Sequence, residues 1–315
     1  MSIYVPSEDQ EPNVLVVGTM AADAKGQPDE SLVPGRSTPG AVHFSIGGTG
    51  RNIAETLARL GVRTTLLSAI GNDPIGRILI EATESSGVDT SHVVTSTRYR
   101  TAGYIAILDR HGRPAYAIDD MAVIKEVTPG LVYRHRRLVR DADMIVLDAN
   151  LSPRTLVSVF DLAKKYQCPV CVDPTSAVRA PRFAPHLSDI LLMTPNASEA
   201  EVLTGLDLRQ TDAHDLAAAL VGSGVGIAII TLAELGLYYV TSDESGRVPA
   251  LDRDVVDLTG AGAALTGGVL FGLLNGFEVG EAMRLGISAA ALTIQVSETV
   301  YPDLSLDRLY DELVI

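Results

Sequence analysis

Short apolar runs that alternate with helical patterns are the feature that most limits the folds open to this chain. Such runs cover residues 14–17, 144–147, 170–172 and 190–193, and a helical pattern of about 153–166 separates the second from the third. A continuous apolar run of this length is typical of a strand that is buried on both faces of a sheet. Strands that alternate with helices usually pair in parallel through right-handed crossovers. The sequence therefore predicts an α/β fold around a mostly parallel sheet.

Two other segments predict a smaller sheet beside the main one. Residues 27–45 are rich in proline, glycine and polar residues, and residues 101–108 and 115–118 alternate in polarity on either side of a turn at 109–113. The second pattern indicates a hairpin. We expect strands from about 19–46 and 98–122 to form a lid within a single domain that covers residues 1–315. Asp120, where the hairpin ends, is expected to direct a carboxylate into the cleft.

Charge and hydropathy argue against two classes of partner. The formal net charge of −14 for 315 residues opposes contact with a nucleic-acid polymer or an anionic lipid surface. The apolar segments 260–274 and 287–296 are shorter than a membrane span. The N-terminus, which contains Glu8 and Asp9, lacks the basic and apolar regions of a secretory signal. We therefore expect a cytoplasmic protein that binds neither nucleic acid nor membrane.

The two cysteines, Cys168 and Cys171, do not predict a metal or redox site. They lie three residues apart in a strand-like segment, and this spacing places side chains on opposite faces of a strand. No second cysteine pair is present to complete a zinc site. We interpret both as ordinary strand residues.

The stretch 257–265 is the first candidate for chemistry. Gly260 and Gly262 flank Ala261, and the apolar residues from Ala263 onward open a helix. Backbone N–H groups in such a loop turn toward one point, and the first N–H groups of a helix have no partner within it. The pattern indicates either an anion-binding nest or a glycine-rich loop that caps a buried helix, and the stretch alone does not decide between them.

Other polar residues lie at strand ends and helix starts. Asp23 follows the first strand, at the edge where ligands gather in open α/β sheets, and it either binds hydroxyl groups or caps a turn. Gly47 and Gly48 precede a helix that starts near Asn52. This arrangement lets the backbone approach a small ligand closely and offers it an amide.

Asn196 and Glu199 lie three residues apart where a strand gives way to a helix. On the first helical turn they share one face. They form either a capping box or a pair that holds water around magnesium, an ion that keeps several waters and needs few protein oxygens. The sequence leaves both interpretations open.

The order of these motifs resembles that of the ribokinase-like, or phosphofructokinase-B, family of carbohydrate and nucleoside kinases. The resemblance covers nearly the whole chain and rests on Gly47-Gly48 with Asn52, Gly71-Asn72-Asp73 with Gly76, Asp173-Pro174, Asn196 with Glu199, Thr231 with Gly236, and Thr259-Gly260-Ala261-Gly262. Within the family the chain is most similar to pseudouridine kinases, through residues 50–52, 120–121, 173–176 and 302–305.

The resemblance implies a three-layer α/β/α fold with a β-sheet lid. It implies ATP and Mg²⁺ as cofactors and transfer of the γ-phosphate to a primary ribose hydroxyl. The implied substrate is pseudouridine, with another sugar or nucleoside as the alternative. Some relatives have a K⁺ site beside the nest, and Asp257 suggests one here. A lid of few strands leaves an apolar face, through which we expect a homodimer.

Roles follow from the same resemblance by position. Substrate binding is implied for Asp23, Gly47, Gly48, Arg51, Asn52, Thr101 and Asp120. The nest at Gly260, Ala261 and Gly262 would hold the migrating phosphate. Nucleotide binding is implied for Asn196, Thr231, Gly236 and Thr259, and Asn196 with Glu199 would organise Mg²⁺ through water.

Two positions depart from the family pattern. The family places its catalytic aspartate directly after Gly-Ala-Gly, and this chain has Ala263, whose methyl group cannot accept a proton. Ala233 replaces the glycine of the nucleotide loop, where a Cβ atom crowds phosphate or demands a different φ. Three hypotheses follow: a severely weakened kinase, a catalytically silent nucleoside-binding protein, or a base supplied by Asp257 or Glu298. Natural decay and deliberate replacement of the aspartate both remain open.

Overall fold

The computed structural model describes residues 11–109 and 114–314. Most of the turn expected at 109–113 lies outside these residues, as do Glu8 and Asp9. In chain order the strands are β1 (Asn13–Val17), β2 (Ala21–Pro28), β3 (Gly40–Gly47), β4 (Arg63–Leu67), β5 (Ala69–Gly71), β6 (Val94–Ser96), β7 (Ala102–Leu108), β8 (Pro114–Asp120), β9 (Met144–Asp148), β10 (Val170–Asp173), β11 (Leu192–Met193), β12 (Ile227–Thr231), β13 (Leu237–Val240) and β14 (Ser245–Val248).

The helices connect these strands. They are α1 (Thr49–Arg59), α2 (Pro74–Ser85), α3 (Pro129–Arg134), α4 (Arg136–Asp141), α5 (Pro153–Tyr166), α6 (Ala197–Thr204), α7 (Ala213–Gly222), α8 (Ala261–Leu274), α9 (Val279–Thr293) and α10 (Leu306–Val314). Short 3₁₀ helices cover Ala122–Glu126, Ala180–Asp189 and Ala233–Leu235.

The central sheet has the strand order β14-β13-β12-β11-β10-β9-β1-β4. Neighbouring strands from β4 to β12 pair in parallel, whereas β13 and β14 join antiparallel at one edge. The mostly parallel sheet predicted from the apolar runs is confirmed. Because parallel strands end at the same edge, the polar residues that follow β1, β9, β10, β11 and β12 come together there.

Helices cover both faces of this sheet. Along β1, Val14 and Val16 pack into one buried core with residues of α1, α8 and α9. Leu15 and Val17 point the other way and pack into a second core with residues of α5 and α7. Side chains alternate across a strand, so a strand that is apolar at every position must be covered on both faces. The three-layer α/β/α fold is confirmed.

Helix α8 is buried on almost every side, from Ala263 to Leu274. Gly268 and Gly272 face α9, where an added Cβ atom would lie 2.8 Å from the Leu285 carbonyl oxygen or from the Ala282 Cα atom. Close helix packing therefore explains the four-residue glycine spacing. Among the described residues, no helix is both long and apolar enough to cross a membrane.

A second sheet of order β3-β2-β7-β8 forms the lid, from the two segments in which the sequence predicts it. Strand β2 pairs antiparallel with β3 and parallel with β7, and β7 pairs with β8 as a hairpin. The register places Asp23 beside Tyr104, and Tyr104 beside Asp119, on one face. Phe44, Ala24 and Ile105 form a row on the other face.

Several boundaries differ from the expectation. Asp23 lies within β2 instead of in a turn after β1. The run expected as a strand over 190–193 is shorter in the structure, where β11 covers only Leu192–Met193. Helix α8 begins at Ala261, two residues before Ala263. Cys168 precedes β10 and only Cys171 lies in it, although both thiols are free and buried as expected.

Candidate active site

A cleft of about 490 Å³ opens at the carboxyl edge of the central sheet, beneath the lid. The ends of parallel strands supply its floor, the lid supplies one wall, and the start of α8 supplies another. Its lining includes most of the candidate site residues singled out in the sequence: Asp23, Gly48, Asn52, Asn196, Glu199, Thr231, Thr259, Gly260, Gly262 and Ala263. The parallel topology thus gathers residues that are more than 200 positions apart.

The loop that enters α8 has the backbone conformation of an anion nest. Gly260 has φ 88°, in the left-handed region, and it precedes α8 without any side-chain hydrogen bond that caps the helix. The Thr259 N–H donates to Asp257 Oδ1 at 2.9 Å, and the Ala264 N–H donates to the Gly260 carbonyl at 2.8 Å. No side chain caps α8, and the Ala261 N–H donates to the Leu258 carbonyl at 3.4 Å, so the N–H groups of Gly262 and Ala263 are the ones available to an anion in the cleft.

Asp23 brings a buried carboxylate from the lid to the cleft. Its side chain is 6 % exposed, and burial raises its pKa to about 6, against the opposing charges of Lys25 and Arg51. Removal from water disfavours the charged form of a carboxylate. Hydrogen-bond donors on a ligand, such as vicinal hydroxyls, would favour the ionised form again.

The start of α1 forms the opposite side of the same subsite. Gly48 has φ 99°, and a Cβ atom there would lie 2.8 Å from the backbone nitrogen of Ala21. Only glycine therefore lets this turn contact the backbone that follows β1. Asn52, one turn into α1, lines the cleft, and its Oδ1 accepts hydrogen bonds from Arg51 Nη1 at 3.1 Å and Thr299 Oγ1 at 3.0 Å.

The floor between these two sides is a buried polar network. Asp148 accepts hydrogen bonds from the backbone N–H groups of Thr19, Gly50 and Asn150. Asn150 Nδ2 donates to Thr19 Oγ1 at 2.7 Å, but its buried Oδ1 has no partner among the described residues. An unpaired buried acceptor is unfavourable by about 1–3 kcal/mol, so Asn150 is suited to receive a donor from a ligand.

Asn196 and Glu199 form the capping box that the sequence allowed. Asn196 Oδ1 accepts from the Glu199 N–H, and Glu199 Oε2 accepts from the Asn196 N–H, both at 2.9 Å. Both residues also line the cleft, where burial raises the pKa of Glu199. Burial and the Glu199 charge together raise the pKa of the neighbouring Asp173 to about 7.

These oxygens suit a hard divalent cation. Magnesium prefers carboxylate and amide oxygens and water, and a cation beside Asp173 and Glu199 would relieve the repulsion that raises the pKa of Asp173. Asn196 and Glu199 therefore fit the implied Mg²⁺. The two hydrogen bonds of the capping box hold their side chains in place.

The turn between β12 and β13 shapes the far end of the cleft. Thr231 lines the cleft, and Gly236 has φ 89° in a turn where a Cβ atom would lie 2.5 Å from the Ala250 nitrogen. Ala233 has φ 50°, a conformation that is unfavourable for any residue with a Cβ atom. The substitution noted in the sequence thus lies in a strained backbone.

Some of the expected residues do not reach the cleft. Arg51 is buried behind it, where it pairs with Glu55 and donates to the Ile46 carbonyl at 3.0 Å. Thr101 bonds to Asp73, and Asp120 accepts from the Ala122 N–H. The lining also lacks Gly47, Ala261 and Gly236, which lie in adjoining backbone.

Other residues line the cleft that the sequence did not single out as a site. The clearest is the ion pair between Asp119 of the lid and Arg179, with Arg179 Nη2 2.6 Å from Asp119 Oδ1. Tyr104, Asn150 and Ser176 are further examples. The Asp119-Asp120 doublet was a signal for a cleft carboxylate, but which of the two faces the cleft depends on the strand register. Arg179 carried no such signal.

Among the described residues, Asp257 and Glu298, the two carboxylates proposed as alternative bases, lie outside the lining of the cleft. Asp257 pairs with Lys25 of the lid, and Glu298 accepts a hydrogen bond from Ser297 at 3.3 Å on an exposed segment.

Comparison with known proteins gives a consistent result. The model of the pfkB family of carbohydrate kinases matches residues 11–305. Pseudouridine kinase of Escherichia coli is 33% identical over 295 residues, which cover 93% of this chain and 94% of that protein.

Solved structures show the same similarity. A carbohydrate kinase from Agrobacterium tumefaciens is 31% identical with a TM-score of 0.82, covering 96% of this chain and 97% of its own. Ribokinase of Arabidopsis thaliana, complexed with ribose and ATP, has a TM-score of 0.84 at 22% identity. The match covers 97% of this chain and 100% of the ribokinase chain.

Proposed function

The chain belongs to the pfkB family of carbohydrate kinases, and on that premise we propose that it binds pseudouridine and ATP and transfers phosphate at a severely reduced rate. The observation that carries the proposal is the single cleft in which the hydroxyl-binding candidates Asp23 and Asn52 lie opposite the nest and Ala263. The sugar or nucleoside kinase class follows from the family. The choice of pseudouridine rests on the similarity to that kinase.

Different residues of the cleft bind the sugar and the phosphate. Asp23 and Asn52 hold ribose hydroxyls, and the close turn at Gly48 lets the sugar approach the backbone. Asn150 Oδ1, which has no partner, accepts a donor from the substrate. The nest at Gly260 to Gly262 then directs backbone N–H groups at the phosphate that is transferred, where negative charge has to be neutralised.

Asn196, Thr231 and Thr259 are the proposed contacts of the nucleotide. Asn196 and Glu199 would hold Mg²⁺ through water, and the ion when bound supplies positive charge to the ATP phosphates. Arg51, Thr101, Asp120 and Gly236, which lie behind or beside the cleft, keep the contacting residues in place.

Ala263 sets the expected rate. It is the third residue of α8, 7 % exposed, and it lines the cleft at the nest. A positioned general base contributes about 10²–10⁴-fold to a rate. Phosphoryl transfer depends mostly on positioning and charge neutralisation, which the nest and the Mg²⁺ residues still provide. Weak turnover is therefore expected instead of none.

Restoring a carboxylate tests this proposal. We expect Ala263→Asp to form ADP with pseudouridine about 10²–10⁴ times faster than the unchanged chain. Ala263→Asn, which has nearly the same shape but no basic oxygen, is the matched control and should remain slow. Thermal shift with pseudouridine, uridine and ribose reports binding for all three proteins independently of turnover.

The competing proposal is a silent nucleoside-binding or regulatory protein. The strained Ala233 in the nucleotide loop favours this proposal. It is a second departure from the family pattern, and it suggests that ATP binding is no longer required of this chain. If Ala263→Asp produces no ADP from any substrate while nucleosides still raise the melting temperature, the silent protein is the correct description. If ribose or another nucleoside binds and pseudouridine does not, the substrate assignment is wrong.

We also propose that residues 1–315 act as one kinase unit in the cytoplasm, where ATP is available, and that two copies associate through the lid. The outer face of the lid exposes large apolar side chains: Val42, Phe44, Ile105, Tyr116 and Ile118. Phe44 is 81 % exposed and Ile118 is 74 % exposed. A continuous apolar sheet face of this kind is typical of a protein interface.

The association is tested by sedimentation velocity. Phe44→Glu places a charge on the apolar face and should convert a dimer into a monomer. Ile78→Glu, at another exposed apolar position on α2, should leave the sedimentation coefficient unchanged. A monomeric unchanged chain at micromolar concentration would exclude the lid dimer.

A further inference from the structure

Lys25 connects the lid to the loop that enters the nest. It lies on β2, two residues after Asp23 and on the same face of the lid, and it is only 5 % exposed. Its Nζ forms an ion pair with Asp257 Oδ2, across 232 positions of sequence. The other oxygen of Asp257 accepts the Thr259 N–H at 2.9 Å. One carboxylate thus joins a lid cation to the backbone immediately before Gly260.

Both partners need this contact. A buried ammonium is strongly unfavourable unless it is paired and hydrogen-bonded, so Lys25 is held at Asp257 instead of exploring other positions. The Asp257 side chain is 20 % exposed, and its Oδ2 contacts the Lys25 ammonium. The pair therefore fixes a positive charge beside the nest whenever the lid is closed.

This arrangement disagrees with a K⁺ ion at Asp257, the site that the resemblance suggested. A K⁺ ion requires oxygen ligands and would lie directly beside the Lys25 ammonium, a like charge in a poorly solvated place. Oδ2 already contacts Nζ, and Oδ1 already binds the Thr259 N–H. The residues present do not fit a monovalent cation at this carboxylate.

We propose that the Lys25 ammonium takes the place of a monovalent cation at Asp257 and acts as a positioning residue for the phosphate nest. It holds Asp257, which orients the Thr259 backbone and hence the turn at Gly260. This proposal rests on the proposed function in one respect, namely that the nest receives the ATP phosphates.

A consequence for the lid follows from the position of Lys25. Because β2 carries both Asp23 and Lys25, the strand that brings the hydroxyl-binding carboxylate into the cleft also brings the cation that orders the nest. Separation of β2 from this loop would break the ion pair, leaving Lys25 without its carboxylate and Asp257 with only the Thr259 N–H. Substrate binding under the lid and phosphate binding at the nest are therefore coupled through one strand.

The test compares three variants with the unchanged chain in buffer free of K⁺ and ammonium. Lys25→Met removes the charge and keeps the length of the stem, Lys25→Arg keeps the charge, and Lys125→Met removes an exposed charge elsewhere as a control. Calorimetry measures binding of the non-hydrolysable analogue AMP-PNP with MgCl₂, and hydrogen exchange measures protection of the amides of residues 254–262. Each measurement is repeated with KCl, NH₄Cl or tetramethylammonium chloride.

For the unchanged chain and Lys125→Met we expect the same affinity and protection with and without KCl. Lys25→Met should bind AMP-PNP about tenfold more weakly, which corresponds to about 1.4 kcal/mol, and should exchange faster at 254–262, because Asp257 loses the cation that holds it. KCl or NH₄Cl should restore both, and the bulkier tetramethylammonium should not. Lys25→Arg should retain most of the affinity.

Two results overturn the inference: an unchanged chain that needs KCl for loop protection, or a Lys25→Met variant whose protection matches the parent. If the unchanged chain does not bind AMP-PNP in any salt, the proposed function fails. The hydrogen exchange of residues 254–262 still decides the role of Lys25 in that case, because it requires no ligand.

Discussion

The nest allows a sharp prediction from two glycines that are two residues apart. Gly260 has φ 88°, and a Cβ atom built on it would overlap the Thr299 carbonyl oxygen and lie 2.7 Å from the Thr299 carbonyl carbon. Gly262 has ordinary helical backbone within α8, and a Cβ atom there meets no atom within 4 Å. Alanine substitutions at these positions should therefore have opposite effects on stability.

The magnitudes follow from backbone conformation and contact. An alanine in the left-handed region is unfavourable by about 1–2 kcal/mol, and displacing the Thr299 backbone adds a contribution of similar size. We expect Gly260→Ala to lower the free energy of unfolding by about 2–4 kcal/mol. Gly262→Ala removes a glycine from a helix and should raise it by about 0.5–1 kcal/mol.

Ligand binding should change in the same direction for both substitutions. Gly262 is exposed and lines the cleft, so its new methyl group projects where phosphate is expected to bind. We expect both variants to bind AMP-PNP more weakly, Gly260→Ala because the nest is distorted and Gly262→Ala because it is obstructed. Only Gly262→Ala should do so without a loss of stability.

Urea denaturation followed by circular dichroism gives the free energies, and calorimetry gives the affinity. A Gly260→Ala variant with the stability of the parent would show that the loop adapts without strain. A Gly262→Ala variant that binds AMP-PNP as tightly as the parent would remove the start of α8 from the phosphate site.

Two further predictions concern strain and burial. Ala233→Gly should stabilise the chain by about 1 kcal/mol in urea denaturation and tighten AMP-PNP binding, because φ 50° is unfavourable for alanine; equal stability would contradict the strain. The raised pKa of Asp23, about 6, means that its contribution to stability is present below pH 4 and is lost as pH rises through 6. The free energy of unfolding of Asp23→Asn should therefore exceed that of the parent by about 3 kcal/mol above pH 6, and the two values should converge near pH 4. The variant should also bind pseudouridine more weakly. A constant difference across this range would refute the burial argument.

The sequence was most informative where structure depends on local pattern. Continuous apolar runs identified the strands of the central sheet, since burial on both faces requires an apolar side chain at every position. The glycine at 260 indicated a special loop because few other residues adopt the left-handed conformation that it has there. The order of the motifs then gave the family, which the comparisons bear out. Ala263 and Ala233 were visible as departures at once.

The sequence was less informative about element boundaries and about which neighbour faces the cleft. Asp119 and Asp120 are adjacent and chemically alike, and only the register with Tyr104 and Gly103 places Asp119 on the cleft face. The family resemblance implied that Arg51 binds substrate. In the fold it is buried against Glu55 and supports Asn52 from behind.

Contacts between the lid and the body could be decided only by the tertiary structure. Lys25 lies 232 positions from Asp257, and Asp119 lies 60 positions from Arg179, so no local pattern relates the members of either pair. Strand identity follows from side-chain periodicity along a few residues. Ion pairs across the cleft depend on how the lid strands dock on the sheet. That docking is set by packing between residues that are far apart in the sequence. The apolar runs alone therefore predicted the mostly parallel sheet, and the order of the motifs gave the family, whereas the tertiary structure decided which charges lie around the cleft.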